Sequence, residues 1–154
     1  MLIERAIPQL EEEANAILSR IAPGMSVQLA TQRANKDSSI KETLDIIIAD
    51  EMGTRPYENF SGGERFRIDF ALRIALSKLL THRAGARLET LIIDEGFGSQ
   101  DQDGLARLLE CLQAITSDFR LILVVSHLAE MTDIFPVRIE VTKGDSGSLV
   151  KVVG

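Results

Sequence analysis

The sequence contains a single cysteine, Cys111, so no disulfide can close within the chain. No apolar run approaches the roughly 18 residues of a membrane-spanning helix, which excludes a helical membrane segment. The opening stretch MLIERAIPQLEEE is too acidic for a secretory signal. Basic residues are in the minority. The 17 Lys and Arg against 23 Asp and Glu give a formal charge of -6, which argues against a broadly cationic nucleic-acid surface and leaves room for a local basic strip. Neither an internal repeat nor a low-complexity linker is present. A reducing, cytoplasmic setting with no membrane partner is expected. What the chain does have is enough apolar content, 45% of 154 residues, to bury one sizeable core.

Residues Ile3, Ile7, Leu10, Ala14, Ile17 and Ile21 recur at alternating spacings of four and three, a coiled-coil-like seam. Two readings are open for residues 1–22: the base of a coiled coil, or an amphipathic helix docked on its own domain. Pro8 should kink that helix or mark the start of its well-formed part. Residues 23–154 read as one lobe. After Pro23-Gly24, SVQLATQ and LDIIIAD predict two strands joined by the polar run Arg33 to Ser39, and Gly53 and Pro56 punctuate a turn. A long helix is predicted from Ser61-Gly62-Gly63, then a strand at LETLIID, a helix from near Asp101 through LARLLECLQAI, and a second strand at LILVVS. Both apolar strands read as parallel strands covered on two faces. A short helix at LAEMTD and a hairpin across Lys143 to Gly147 complete an α/β order. Cys111, on the helix after Asp101, reads as a packed thiol rather than a reactive one.

Three short stretches can carry chemistry. In LIIDE, the acids Asp94 and Glu95 stand at the C-terminal end of a buried strand, where ligands of open α/β sheets sit. Paired acids there suit a hard cation bound through oxygen and a water polarised for attack. SGGE, Ser61 to Glu64, opens a helix, where free N–H groups, the positive end of the dipole and a hydroxyl favour an anion. His127 follows the second apolar strand in VVSHL. Each has an ordinary alternative taken singly: a solvated strand-end acid, a helix cap, a loop histidine. Their order is far more specific than any one of them.

SGGERF, IIDEGFGSQD, VVSHLAEM and Phe135-Pro136-Val137-Arg138-Ile139, in that order, resemble the second half of an ABC-type ATPase domain, and specifically the SbcC-type DNA-repair ATPases, relatives of SMC proteins. The resemblance implies an α/β fold, the C-terminal lobe of an ABC-type P-loop NTPase head with a mixed, largely parallel sheet and flanking helices, preceded by the foot of a long antiparallel coiled coil. It implies ATP and Mg²⁺ as ligands. Ser61, Gly62, Gly63 and Glu64 match the signature motif, which completes the ATP site of an opposing head. Asp94 and Glu95 match Walker B, Asp94 as metal ligand and Glu95 as general base or water-positioning group; Ser99, Gln100 and Asp101 match the D-loop; His127 matches the switch histidine on the γ-phosphate. Implied partners are an N-terminal lobe of the same ATPase, a second head, an SbcD-type nuclease and double-stranded DNA.

Two departures stand out. Gln100 occupies the D-loop position where Leu is usual, and G-x-x-x-x-G-K-[ST] occurs nowhere. Without that phosphate loop the chain is expected to bind Mg-ATP weakly and to be inactive until an N-terminal segment supplies it. Arg65, Arg67, Arg73 and Lys78 follow the signature on its helix, either as solvated charges or as reporters of nucleotide binding. Two other functions compete: a fragment of an ABC transporter nucleotide-binding subunit, and a non-catalytic ABC-like dimerisation protein.

Overall fold

The computed structural model describes residues 2–34, 40–84, 89–94, 96–131 and 134–154. It opens with helix α1 (Leu2–Ile21), which is continuous across Pro8, so the helix does not begin there. Pro8 itself is exposed. The second half of α1 buries Ala14, Ile17, Leu18 and Ile21 in the core of the domain. The seam positions Ala14, Ile17 and Ile21 are therefore used in docking, with Leu18 beside them; the side chain of Ile3 lies outside the described residues.

Strands β1 (Ser26–Ala34) and β2 (Ile40–Asp50) pair antiparallel, as the alternation of SVQLATQ predicts. The free edge of β1 is capped by α1. Asn15 closes a fork on Val27, donating to its carbonyl at 3.0 Å and accepting from its N–H at 2.7 Å, and Glu11 accepts from the N–H of Leu29. One helical turn between Glu11 and Asn15 spans about 6 Å and two strand residues about 6.8 Å, so the two elements stay in step. Where a simple turn was expected at Gly53 and Pro56, a third strand β3 (Gly53–Pro56) folds back on β2 through a tight turn. Gly53 takes the positive φ of 114° that this turn needs, and Pro56 is tolerated because β3 is an edge.

Helix α2 (Gly62–Ala84) is central, burying Ile68, Phe70, Ala71, Ile74 and Ala75. It packs on α1, which also touches α3 (Gln102–Ala114). Lys78 ties these parts together, 3.8 Å from Glu13 of α1 and 3.4 Å from Asp118 beyond α3. Cys111 is buried in this core, and burial pushes its thiol pKa up, as befits a packed rather than a reactive cysteine.

Parallel pairing is found between β4 (Thr90–Asp94) and β5 (Leu121–Val125). These strands are not covered on both faces. Ile93 is buried, whereas Ile92 is 58% exposed, with Leu121, Leu123 and Val125 exposed on the same side. The short helix expected at LAEMTD is a 3-10 turn, Ala129–Met131, with residues 132 and 133 outside the described residues. The chain ends in the hairpin β6 (Arg138–Gly144) and β7 (Gly147–Val153), which contributes nothing to the buried core.

Candidate nucleotide half-sites

The N-terminus of α2 is closed by its own residues. Ser61 donates its backbone N–H and its hydroxyl to one carboxylate oxygen of Glu64, at 2.8 Å and 2.6 Å. The Glu64 N–H returns a longer bond to the Ser61 hydroxyl at 3.4 Å, completing a capping box. The Ser61 hydroxyl beside it, then the Ser61 amide, hold the Glu64 carboxyl below the usual carboxylate range. Both Ser61 donors are thus committed to Glu64, and an anion that uses them has to displace that carboxylate. The positive end of the α2 dipole remains at this turn.

A second turn packs directly on the first. After Asp94 the chain forms a 3-10 turn, Phe97–Ser99, and Gln100 and Asp101 lead into α3. Asp101 is the N-cap of α3 and accepts from the Gly104 N–H at 2.8 Å. Gln100 donates through Nε2 to the Gly63 carbonyl at 3.0 Å and to the Ser99 hydroxyl at 3.1 Å. The approach is so close that a Cβ on Gly63 would sit 2.6 Å from the Ser99 carbonyl oxygen. Gly63 therefore admits the second turn, while a Cβ on Gly62 would meet nothing within 4 Å.

Gly96 is the other point of close approach. Its φ is 96°, and a Cβ there would fall 2.1 Å from a ring carbon of Phe66. Phe66 also meets Phe97 edge to face, with ring centroids 5.4 Å apart. Through this aromatic contact α2 sets the path of the chain leaving β4.

Asp94 and Val125 are register partners at the C-terminal ends of β4 and β5, and His127 follows two residues later. The His127 ring lies against the turn after Asp94, with Cε1 4.0 Å from where a Cβ on Gly98 would be. Asp94 and His127 are both exposed. By strand alternation, Asp94 shares the open face of the sheet with Ile92. A groove between α2 and β4 is lined by Asp94, Asp69, Arg73, Phe66 and Phe70. Glu95 lies outside the described residues. Among the described residues no group of three or more His, Cys, Asp or Glu could hold a metal on its own.

The sequence motifs thus occupy two clusters in the lobe: Ser61 to Glu64 with Ser99 to Asp101, and Asp94 with His127. Gln100, Phe66 and Gly104 acquire their roles only in three dimensions. Gln100 alone leaves a trace in the sequence, as the departure from the usual Leu.

The fold is shared with solved SMC heads. A solved SMC ATPase chain superposes with a TM-score of 0.77 at 18% identity, covering 99% of this chain and 88% of that one. The family described as SbcC/RAD50-like, Walker B motif, matches residues 27–114. The chain belongs to the SbcC/RAD50-like family. It is 34% identical over 149 residues to the SbcC subunit of the nuclease SbcCD of Pseudomonas aeruginosa, covering 88% of this chain and 12% of that protein. It is 39% identical over 112 residues to the probable DNA double-strand break repair Rad50 ATPase of Aquifex aeolicus, covering 71% of this chain and 11% of that protein. The chain spans little more than a tenth of the length of these curated relatives.

Proposed function

We propose that this chain is the C-terminal lobe of an ATP-binding, ATP-hydrolysing head that dimerises around ATP and regulates DNA-end processing by a partner nuclease in double-strand-break repair. The observation that carries this reading is the open face of β4 and β5. A lobe complete in itself would cover Ile92, Leu121, Leu123 and Val125, and Asp94 opens onto the same side. A second lobe seated there would bring its phosphate loop to the Walker B acid.

The residues suit Mg²⁺ held in this divided way. Mg²⁺ keeps several waters and takes one or two protein oxygens beside substrate phosphates, so the exposed Asp94 carboxylate is a sufficient contribution from this lobe. When bound, the ion would neutralise charge on the phosphates and orient them. Asp94 would hold it, Glu95 would take the proton of the attacking water, and His127 would donate to the γ-phosphate. Ser61 to Glu64 would meet the nucleotide of an opposing head, with Glu64 yielding its place at Ser61. Two nucleotides would thus be served by one chain.

The partners follow from the relatives. One is named as part of the nuclease SbcCD, another as a DNA double-strand break repair ATPase, and the solved SMC ATPase is described for ATP-driven dimerisation. Membership in this family favours the repair head over a transporter subunit. The test is titration of Mg-ATP into this chain with and without an N-terminal lobe of the same protein. Binding and slow hydrolysis should appear only with both lobes; no binding by the pair would leave the non-catalytic dimerisation reading instead.

A further inference from the structure

We infer that Gln100 is a positioning residue that locks the Ser61–Glu64 turn to the Ser99–Asp101 turn, so that the two half-sites of this chain move as one body. This rests on the proposed function, in which Ser61 to Glu64 serve one nucleotide and Asp94, from which the chain leads into the Ser99–Asp101 turn, serves another.

Three observations support it. Gln100 Nε2 bonds the Gly63 carbonyl at 3.0 Å, joining segments 37 residues apart, and the same nitrogen bonds Ser99 at 3.1 Å. One amide group therefore holds both turns. The Gly63 Cα leaves no room between them, since a Cβ would stand 2.6 Å from the Ser99 carbonyl oxygen. A displacement of either turn must be passed to the other or break the link.

The third observation is a pair of orphaned groups. Gln100 Oε1 and Arg67 Nε are buried without a hydrogen-bond partner. Both side chains border Gly104: Gln100 Oε1 lies 3.2 Å and Arg67 Nη1 3.5 Å from where a Cβ on that residue would be. The unpaired Gln100 acceptor and the Arg67 guanidinium, whose Nε is unpaired, thus face the same bare Cα. Buried polar groups seek partners, so a small shift of Arg67 toward Gln100 gives the link a second, fully bonded arrangement. Gln100 can thereby register where α2 stands relative to the D-loop. A leucine in its place could do neither.

The experiment uses the full-length protein, with both lobes and its coiled coil, and follows ATP hydrolysis against ATP concentration. Gln100→Leu keeps the bulk and removes both polar contacts; Gln100→Glu keeps the reach and turns an acceptor toward the Gly63 carbonyl. Each should lower kcat by roughly 3- to 10-fold, the worth of one hydrogen bond. KM should stay within about twofold, because the phosphate loop dominates nucleotide binding. The Hill coefficient should fall from above 1 in the parent to 1. Arg67→Met should lower the Hill coefficient likewise and add little in combination with Gln100→Leu, because the two would act as a unit. Parent-like kcat and Hill coefficient in both Gln100 variants would overturn the inference alone. So would a parent Hill coefficient of 1, or variants whose kcat and KM worsen together with a fallen melting temperature, the mark of a merely structural residue. A parent that hydrolyses no ATP would overturn the proposed function and this inference with it.

Discussion

A single oxygen of Glu64 accepts both polar hydrogens of Ser61, at 2.8 Å from the amide and 2.6 Å from the hydroxyl. These bonds lower the carboxyl pKa in the folded chain, so the sign of the pH dependence is determined. The contribution to stability is fully present above the unfolded glutamate value, about 4.3, and is lost as pH falls through the lowered folded value. Glu64→Gln does not titrate. The stability gap between the parent and this variant, read from urea unfolding, should be constant near neutrality and close on acidification. Ser61→Ala, which removes the cap itself, should cost about 1 kcal/mol at neutral pH.

Gly96 carries a different constraint. With φ at 96° and Phe66 where a Cβ would lie, Gly96→Ala combines backbone strain with overpacking. A loss of roughly 1–3 kcal/mol is expected in denaturant unfolding. Phe66→Leu in the same chain should restore part of it, since it relieves the clash and leaves only the strain.

Asn15 shows whether α1 belongs to the lobe. Its fork on Val27 satisfies the open edge of β1, and Asn15→Ala would leave a partly buried N–H and carbonyl unpaired. Denaturant unfolding of the whole domain should show a loss of about 1–3 kcal/mol. A helix that merely began a coiled coil would show no such effect on the domain.

These cases separate what is legible in the sequence from what is not. Ser61-Gly62-Gly63 and Asp101 announce the starts of α2 and α3 because capping is local chemistry, and the β6–β7 hairpin is equally plain in its turn residues. β3 departs from expectation because an edge position beside β2 makes its proline harmless. The apolar runs of β4 and β5 suggest two covered faces, since composition does not say which molecule does the covering. The Gln100–Gly63 bond spans 37 residues and has no sequence signal beyond an unusual residue.

Glu95→Gln separates binding from turnover. The amide keeps the shape beside Asp94 but cannot accept a proton from water. In the two-lobe protein, turnover should fall at least about 100-fold, while size-exclusion chromatography should still show dimers that depend on ATP. Asp94→Ala should instead weaken nucleotide binding when Mg²⁺ is present and have little effect when it is chelated. Equal loss of dimers in both variants would mean that Glu95 acts in assembly rather than in the chemical step.

The open sheet face makes the sharpest demand on the divided-head reading. Ile92 and Leu123 are register neighbours on it, 58% and 39% exposed, so aspartate at either position meets water in the isolated chain and should change its stability little. Against a second lobe the same carboxylates would be buried without partners, at a cost of several kcal/mol each. Ile92→Asp with Leu123→Asp should therefore leave circular dichroism and melting of this chain near the parent's. It should also abolish capture of a tagged N-terminal lobe, and with it hydrolysis of ATP by the mixture. Exposed changes at Val141 and Leu149 on the terminal hairpin provide the control for general loss of apolar surface. If the β4–β5 pair and the hairpin pair weaken capture equally, the second lobe does not seat on the Asp94 face, and under the proposed function Asp94 would have to meet the phosphate loop from another direction.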